Sequence, residues 1–162
     1  MGCSGSRIDP SEGINHLQKV KPEYYVKDVV LADEDIELAK ESWMIVMSGD
    51  NTKPFLTRLE ADPNEFRYSS TLTWFYDAFY EKFFEVCPDA EPMFHKVSML
   101  KQGRLIAAVI SSSLDSLKNP AHLEEKLIKN TKRHNGKGIK SEWYSKMGDA
   151  LIQTLELVIG SE

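Results

Sequence analysis

Apolar residues along this chain recur at helical spacing, and no stretch of any length alternates as a strand does. Ile36, Ala39, Trp43 and Met47 form one stripe, which predicts a helix from about Ala32 with Asp33 as its cap. Between Gly49 and Ser70 the pattern breaks. Gly49-Asp50-Asn51 is turn chemistry, and Pro54 and Pro63 forbid one long helix, so this segment reads as a loop or a short helical excursion. Thr71 to Cys87 predicts a strong helix with two aromatic stripes, Phe75-Phe79-Phe83 and Tyr76-Tyr80-Phe84, covered on two faces and stopped by Pro88. Asp89 to Phe94 is a turn or 3₁₀ piece. Ser98 to Leu117 carries Leu105, Val109 and Leu114 beside Ile106, Ile110 and Leu117. A shorter helix is expected from His122 to His134. After Asn135-Gly136-Lys137-Gly138, a last helix from Ser141 to Ile159 shows Trp143, Met147, Ala150, Leu151, Leu155 and Val158. The class is all-α. Residues 1–30 lack periodicity and read as a flexible tail, leaving 31–162 as the domain.

Composition narrows the function classes. The 162 residues suffice for one domain with a core. Twenty basic residues against 25 acidic ones give a net charge of −5. That balance argues against nucleic acid as a partner, which requires a basic face. The longest uninterrupted apolar run is Leu105 to Ile110, far short of a bilayer span. Cys3 lies in the tail and Cys87 reads as a small buried apolar residue, so no structural disulfide is expected and the cytoplasm is the default compartment.

The first six residues, Met1-Gly2-Cys3-Ser4-Gly5-Ser6, fit the N-myristoylation pattern, with Gly2 as acceptor and Ser6 in its required place. One myristoyl chain binds a membrane with an affinity of only about 10⁴ M⁻¹, so stable anchoring needs a second signal. Cys3 offers one through S-palmitoylation. The expectation is a peripheral, lipid-anchored protein on the cytoplasmic side of a membrane surface. A secretory leader is not expected, because no apolar region follows.

Several chemistries are missing. There is no EF-hand loop, no phosphate-binding glycine motif, no H-E-x-x-H and no Cys/His zinc cluster. Ser111-Ser112-Ser113 lies mid-helix without a nucleophile elbow and reads as a small-residue packing face.

One ordered constellation remains. Trp43 lies in the first helix. The aromatic helix ends in Cys87-Pro88, and Phe94 stands six residues past that proline. Gln102 comes early in the next helix, and His134 follows it by 32 residues. Then come Gly138-Ile139-Lys140, Trp143-Tyr144 and Met147-Gly148-Asp149-Ala150-Leu151. In this order and spacing the chain resembles the globin family. Phe83-Phe84 through Pro88 to Phe94 is similar to the globin passage from the B helix through C to the haem-contacting phenylalanine. Arg133-His134 through Lys140 resembles the proximal-histidine passage into the G helix. The likeness covers roughly 31–48 and 72–160.

The resemblance implies a globin-like fold with helices A, B, C, E, F and G, and haem b as cofactor. It makes His134 the proximal ligand of the haem iron, for which histidine is the usual choice. Phe94 would stack on the porphyrin. Gln102 and Tyr80 would be the distal polar pair, Ile106 the apolar distal wall, and Ile139 and Trp143 the proximal lining. A phenol O–H and a carboxamide N–H both donate hydrogen bonds to O₂ on ferrous haem, while carbon monoxide gains less. His95 is a weaker candidate ligand. O₂, NO or CO are the implied small ligands, in sensing, redox signalling or protection and not in bulk transport. No catalytic residue stands out. Nitric oxide dioxygenase or peroxidase chemistry would require electrons from a reductase partner. The alternative is a haem-free interaction module that keeps the fold without the cofactor.

The chain departs from the family in three places. Trp43 and Tyr80 are 37 positions apart, more than the family usually has, which places an insertion at 49–70. Leu105 takes a position where a basic residue is frequent, leaving Arg104 or Lys101 to serve. Nothing resembling an H helix follows the G helix, so the last helix is expected to keep apolar surface exposed, unless the insertion or another chain covers it.

Overall fold

The computed structural model describes residues 30–62, 67–118, 130, 133–134 and 136–160. Among them the regular elements are all helical: α1 Asp33–Met47, α2 Lys53–Ala61, α3 Thr71–Val86, a 3₁₀ segment Pro88–Phe94, α4 Met99–Ser116 and α5 Glu142–Ile159. The tail with Gly2 and Cys3, and most of the helix expected from His122, lie outside the described residues. No described helix is long and apolar enough to cross a membrane.

The aromatic helix α3 is the centre. Ser70 caps it: its Oγ accepts from the Thr73 N–H at 3.4 Å, and Thr73 Oγ1 accepts from the Ser70 N–H at 3.1 Å. Both expected aromatic stripes are covered, and Phe75, Phe79 and Phe83 stack successively with centroids 6.2 and 6.3 Å apart. The helix packs most extensively on α5 and then on α4. Pro88 takes the first position of the 3₁₀ segment, where its missing N–H costs nothing.

Helix α1 docks through Ile36, Trp43 and Val46. Ala39 and Met47, expected on this face, are exposed. The face is rotated because Trp43, the largest side chain, settles edge-on against Phe75 at 5.3 Å. Its Nε1–H donates to Ser111 Oγ at 2.8 Å, which satisfies the indole on burial. The serine run on α4 thus works as a packing face with one polar handle. Asp33 sits in the first turn, the cap position belongs to Ala32, and the Asp35 carboxylate accepts the Ala32 N–H at 3.1 Å. Lys118, just past α4, reaches both Asp33 and Glu37 of α1 at 3.2 Å.

The segment between α1 and α3 forms a helix. Thr52 caps α2, with Pro54 in its first turn. The Thr52 hydroxyl donates to the Val158 carbonyl at 2.6 Å, and its N–H donates to Thr71 Oγ1 at 3.0 Å. Phe55 is 1% exposed and packs 6.0 Å from Trp74. Arg58 lies over the rings of Trp74 and Tyr68. The segment therefore covers the C-terminal part of α5, while Ile152 and Leu157 of α5 stay exposed.

Helix α4 corrects the expected burial pattern. Leu105 and Val109 are 46% and 40% exposed, and the buried positions are Gly103, Ala107 and Ser116. Small residues line the contact because α4 approaches α3 closely. A Cβ placed on Gly103 would stand 2.4 Å from Tyr76 Cγ and 2.6 Å from its Cβ. Those atoms belong to the ring root and cannot swing aside. Gly103→Ala is accordingly expected to destabilise the fold by about 1–3 kcal/mol, read from the denaturant midpoint. An unchanged midpoint would disprove the close approach.

Candidate functional site

Tyr80 and Gln102, the expected distal pair, lie on α3 and α4, which pack on each other. Tyr80 is only 8% exposed on α3, and burial pushes its phenol up to about 12, so it stays a neutral donor. No hydrogen bond engages its hydroxyl among the described residues. Its ring lies 5.4 Å from that of Phe94, which also meets Phe84 at 5.3 Å. Phe94 is half-buried at the end of the 3₁₀ segment, held against the core by the turn after Pro88. A shallow open cleft of about 180 Å³ is lined by Asp77, Tyr80, Glu81, Phe84 and Met99. It is smaller than the roughly 300 Å³ at which ordinary organic-ligand pockets begin.

Gln102 is half-buried one residue before Gly103, so the close approach of α4 to α3 fixes its height on the helix. Ile106, one turn later, packs against the core. No hydrogen bond joins Gln102 to Tyr80. Lys101, Arg104 and Leu105 are all exposed on the same helix.

His134 is helical. Its carbonyl accepts from the N–H groups of Lys137 at 2.9 Å and Ile139 at 3.3 Å, and Gly138 between them has φ +75. This is the Schellman ending, in which the left-handed position suits glycine. It turns the chain so that Ile139 and the buried Trp143 reach the core. The His134 imidazole is half-buried. Its pKa is lowered by desolvation first, then by Lys137 and Arg133. Nδ1 lies 2.7 Å from the hydroxyl of Tyr144, and Nε2 has no hydrogen-bond partner among the described residues. A neutral imidazole with one free nitrogen is what an axial iron ligand requires. Among the described residues no three His, Cys, Asp or Glu side chains gather to hold a metal by themselves. His95 is exposed, and His16 and His122 lie outside the described residues.

The sequence profile of one family, Globin, matches residues 77–162, more than half of the chain. The chain belongs to the globin family. The match begins inside α3, so α1 and α2 lie N-terminal to it, although both pack on the matched helices. Nothing matches among curated proteins or among solved structures.

Two residues beside these candidate positions escaped the sequence reading. Tyr144, ten positions after His134, reads as one more apolar residue beside Trp143. Gly103 has no side chain to join a stripe. Glycine at a helix contact is a signal only once the partner, Tyr76, is known.

Proposed function

We propose that this globin binds haem b through His134 and uses it to bind a diatomic gas reversibly, in sensing, redox signalling or protection. The observation that carries the reading is the His134 imidazole, half-buried, its pKa lowered by desolvation, with no hydrogen-bond partner on Nε2 among the described residues. The donor type is the one that haem takes, while the open cleft at Tyr80, about 180 Å³, does not by itself enclose the group. A porphyrin supplies four nitrogens, so one axial histidine and an aromatic wall suffice. Phe94 would provide that wall, with Ile106, Ile139 and Trp143 excluding water.

When bound, ferrous haem supplies the coordination site for O₂, NO or CO. The chain supplies the polar environment. Tyr80, a neutral phenol with no hydrogen-bond partner among the described residues, and Gln102 would donate hydrogen bonds to a polarised gas ligand. Each such bond in a low-dielectric pocket contributes on the order of 1 kcal/mol or more. Tyr80→Phe and Gln102→Leu are thus expected to speed O₂ release, each by roughly five- to tenfold at that energy, with CO release changed less. Stopped-flow off-rates test this, and unchanged O₂ rates in both variants would refute the distal pair.

Acylation at Gly2 and Cys3 belongs to the same reading. It would hold the domain at a membrane surface, where a fixed sensor is served better than a diffusing carrier. A reductase would then act as an external electron donor.

A further inference from the structure

Asp77, Glu81 and Phe84 stand around Tyr80 on one face of α3, at helical spacing, and with Met99 of α4 they line the open cleft of about 180 Å³. Asp77 is half-buried, and its carboxylate has no hydrogen bond or ion pair among the described residues. Glu81 is exposed and lies 4.0 Å from Arg67, whose guanidinium rests over the Tyr68 ring at 4.8 Å. Tyr80 is 8% exposed, and its hydroxyl, without a hydrogen-bond partner among the described residues, is not sealed beneath other atoms. The cleft is where that hydroxyl surfaces. The Phe84 ring meets those of Tyr80 and Phe94 at 5.9 and 5.3 Å, which fixes it as an aromatic wall. Burial first, and then the charges of Asp77 and Glu81 against those of Arg67 and Arg58, push the nearby Tyr68 phenol up to about 12, so the negative field of this face reaches well beyond its own side chains.

A half-buried carboxylate without a counter-ion gives up hydration and gains nothing in return. A cation restores the balance. A bare metal ion is a poor match, because among the described residues no three His, Cys, Asp or Glu side chains gather to hold one, and the rest of the cleft is two aromatic rings and a thioether. Those surfaces suit a cation with an apolar stem, whose charge gains from the faces of the rings while its carbons cover apolar atoms. We infer that the cleft is a binding site for a primary alkylammonium group: Asp77 takes the charge, Tyr80 Oη accepts an ammonium N–H, and Phe84 and Met99 hold the stem. Glu81, shared with Arg67, adds to the negative field. The space is below that of ordinary organic-ligand pockets and admits one such head with a short stem. A small free amine and a lysine side chain of another protein both present this chemistry. The site stands on the cleft alone and does not depend on bound haem.

The full chain titrated with n-butylammonium at constant ionic strength tests it. The side-chain NMR signals of Asp77, Tyr80 and Phe84 should shift together and saturate, whereas n-butanol, of the same length but uncharged, should leave them in place. Asp77→Asn removes the charge with little change of shape and breaks no contact among the described residues, so the fold persists and the affinity should fall by about tenfold or more. Phe84→Leu should weaken binding by roughly two- to fivefold through loss of the ring face. A wild type without a saturable shift, an equal response to butanol, or wild-type affinity in Asp77→Asn overturns the inference. A blocked lysine peptide titrated in parallel separates the two sources. Tighter binding than that of butylammonium assigns the cleft to a lysine of a protein partner, and weaker binding assigns it to a free amine.

Discussion

Replacing Phe55 by alanine should lower the unfolding free energy by about 3–5 kcal/mol, the range for truncating a fully buried phenylalanine. The residue lies on α2, in the segment that departs most from the family spacing, and an inserted surface excursion would ordinarily tolerate such a change. Its environment says otherwise. Phe55 is buried against Trp74, Arg58 covers the same indole, and Thr52 ties the start of α2 to the end of α5. Removing the ring leaves a cavity bounded by two helices that are each pinned elsewhere, so collapse around it is restricted. A small domain is stable by only about 5–15 kcal/mol, which makes this loss a large share of the whole. Equilibrium denaturation in urea gives the answer. A loss below about 1 kcal/mol would mean that α2 is an appendage and that the α3–α5 pair is stable without it.

How much of this was legible beforehand depended on whether a residue's role follows from its own helix. The aromatic stripes of α3 did, because both faces of that helix are covered and any register of neighbours buries Phe75 and Phe79. The turn at Gly138 did too, since a glycine after a helical histidine is a local signal. The face of α4 did in part. Ile106, Ile110 and Leu114 of its expected stripes pack against the core, while Leu105 and Val109 are exposed and the close helix contact buries Gly103 and Ala107. The tilt of α1 depended on where Trp43 found an acceptor, and Ser111 lies 68 positions away. The rings of Tyr80 and Phe94 lie 5.4 Å apart, a contact that no spacing within either element announces. Tyr144 was invisible because its meaning comes from a hydrogen bond across a turn.

His134→Ala should have the largest functional effect. The substitution removes the axial nitrogen and leaves the rest of the chain intact, since the imidazole is half-buried and its Nδ1 contacts only the Tyr144 hydroxyl among the described residues. The backbone bonds that end the helix use the carbonyl of residue 134 and survive the change. Folding should therefore persist while haem affinity falls by more than about 100-fold, beyond the loss expected for a supporting residue alone. His95 is exposed and has no buried surroundings from which to replace it.

The decisive measurement is an ultraviolet–visible titration of the purified full chain with haem, beside His134→Ala. The account predicts a saturable Soret band at one haem per chain in the wild type, lost or grossly weakened in the variant. A wild type that gives no Soret band, or a variant whose band and affinity match the wild type, would contradict it.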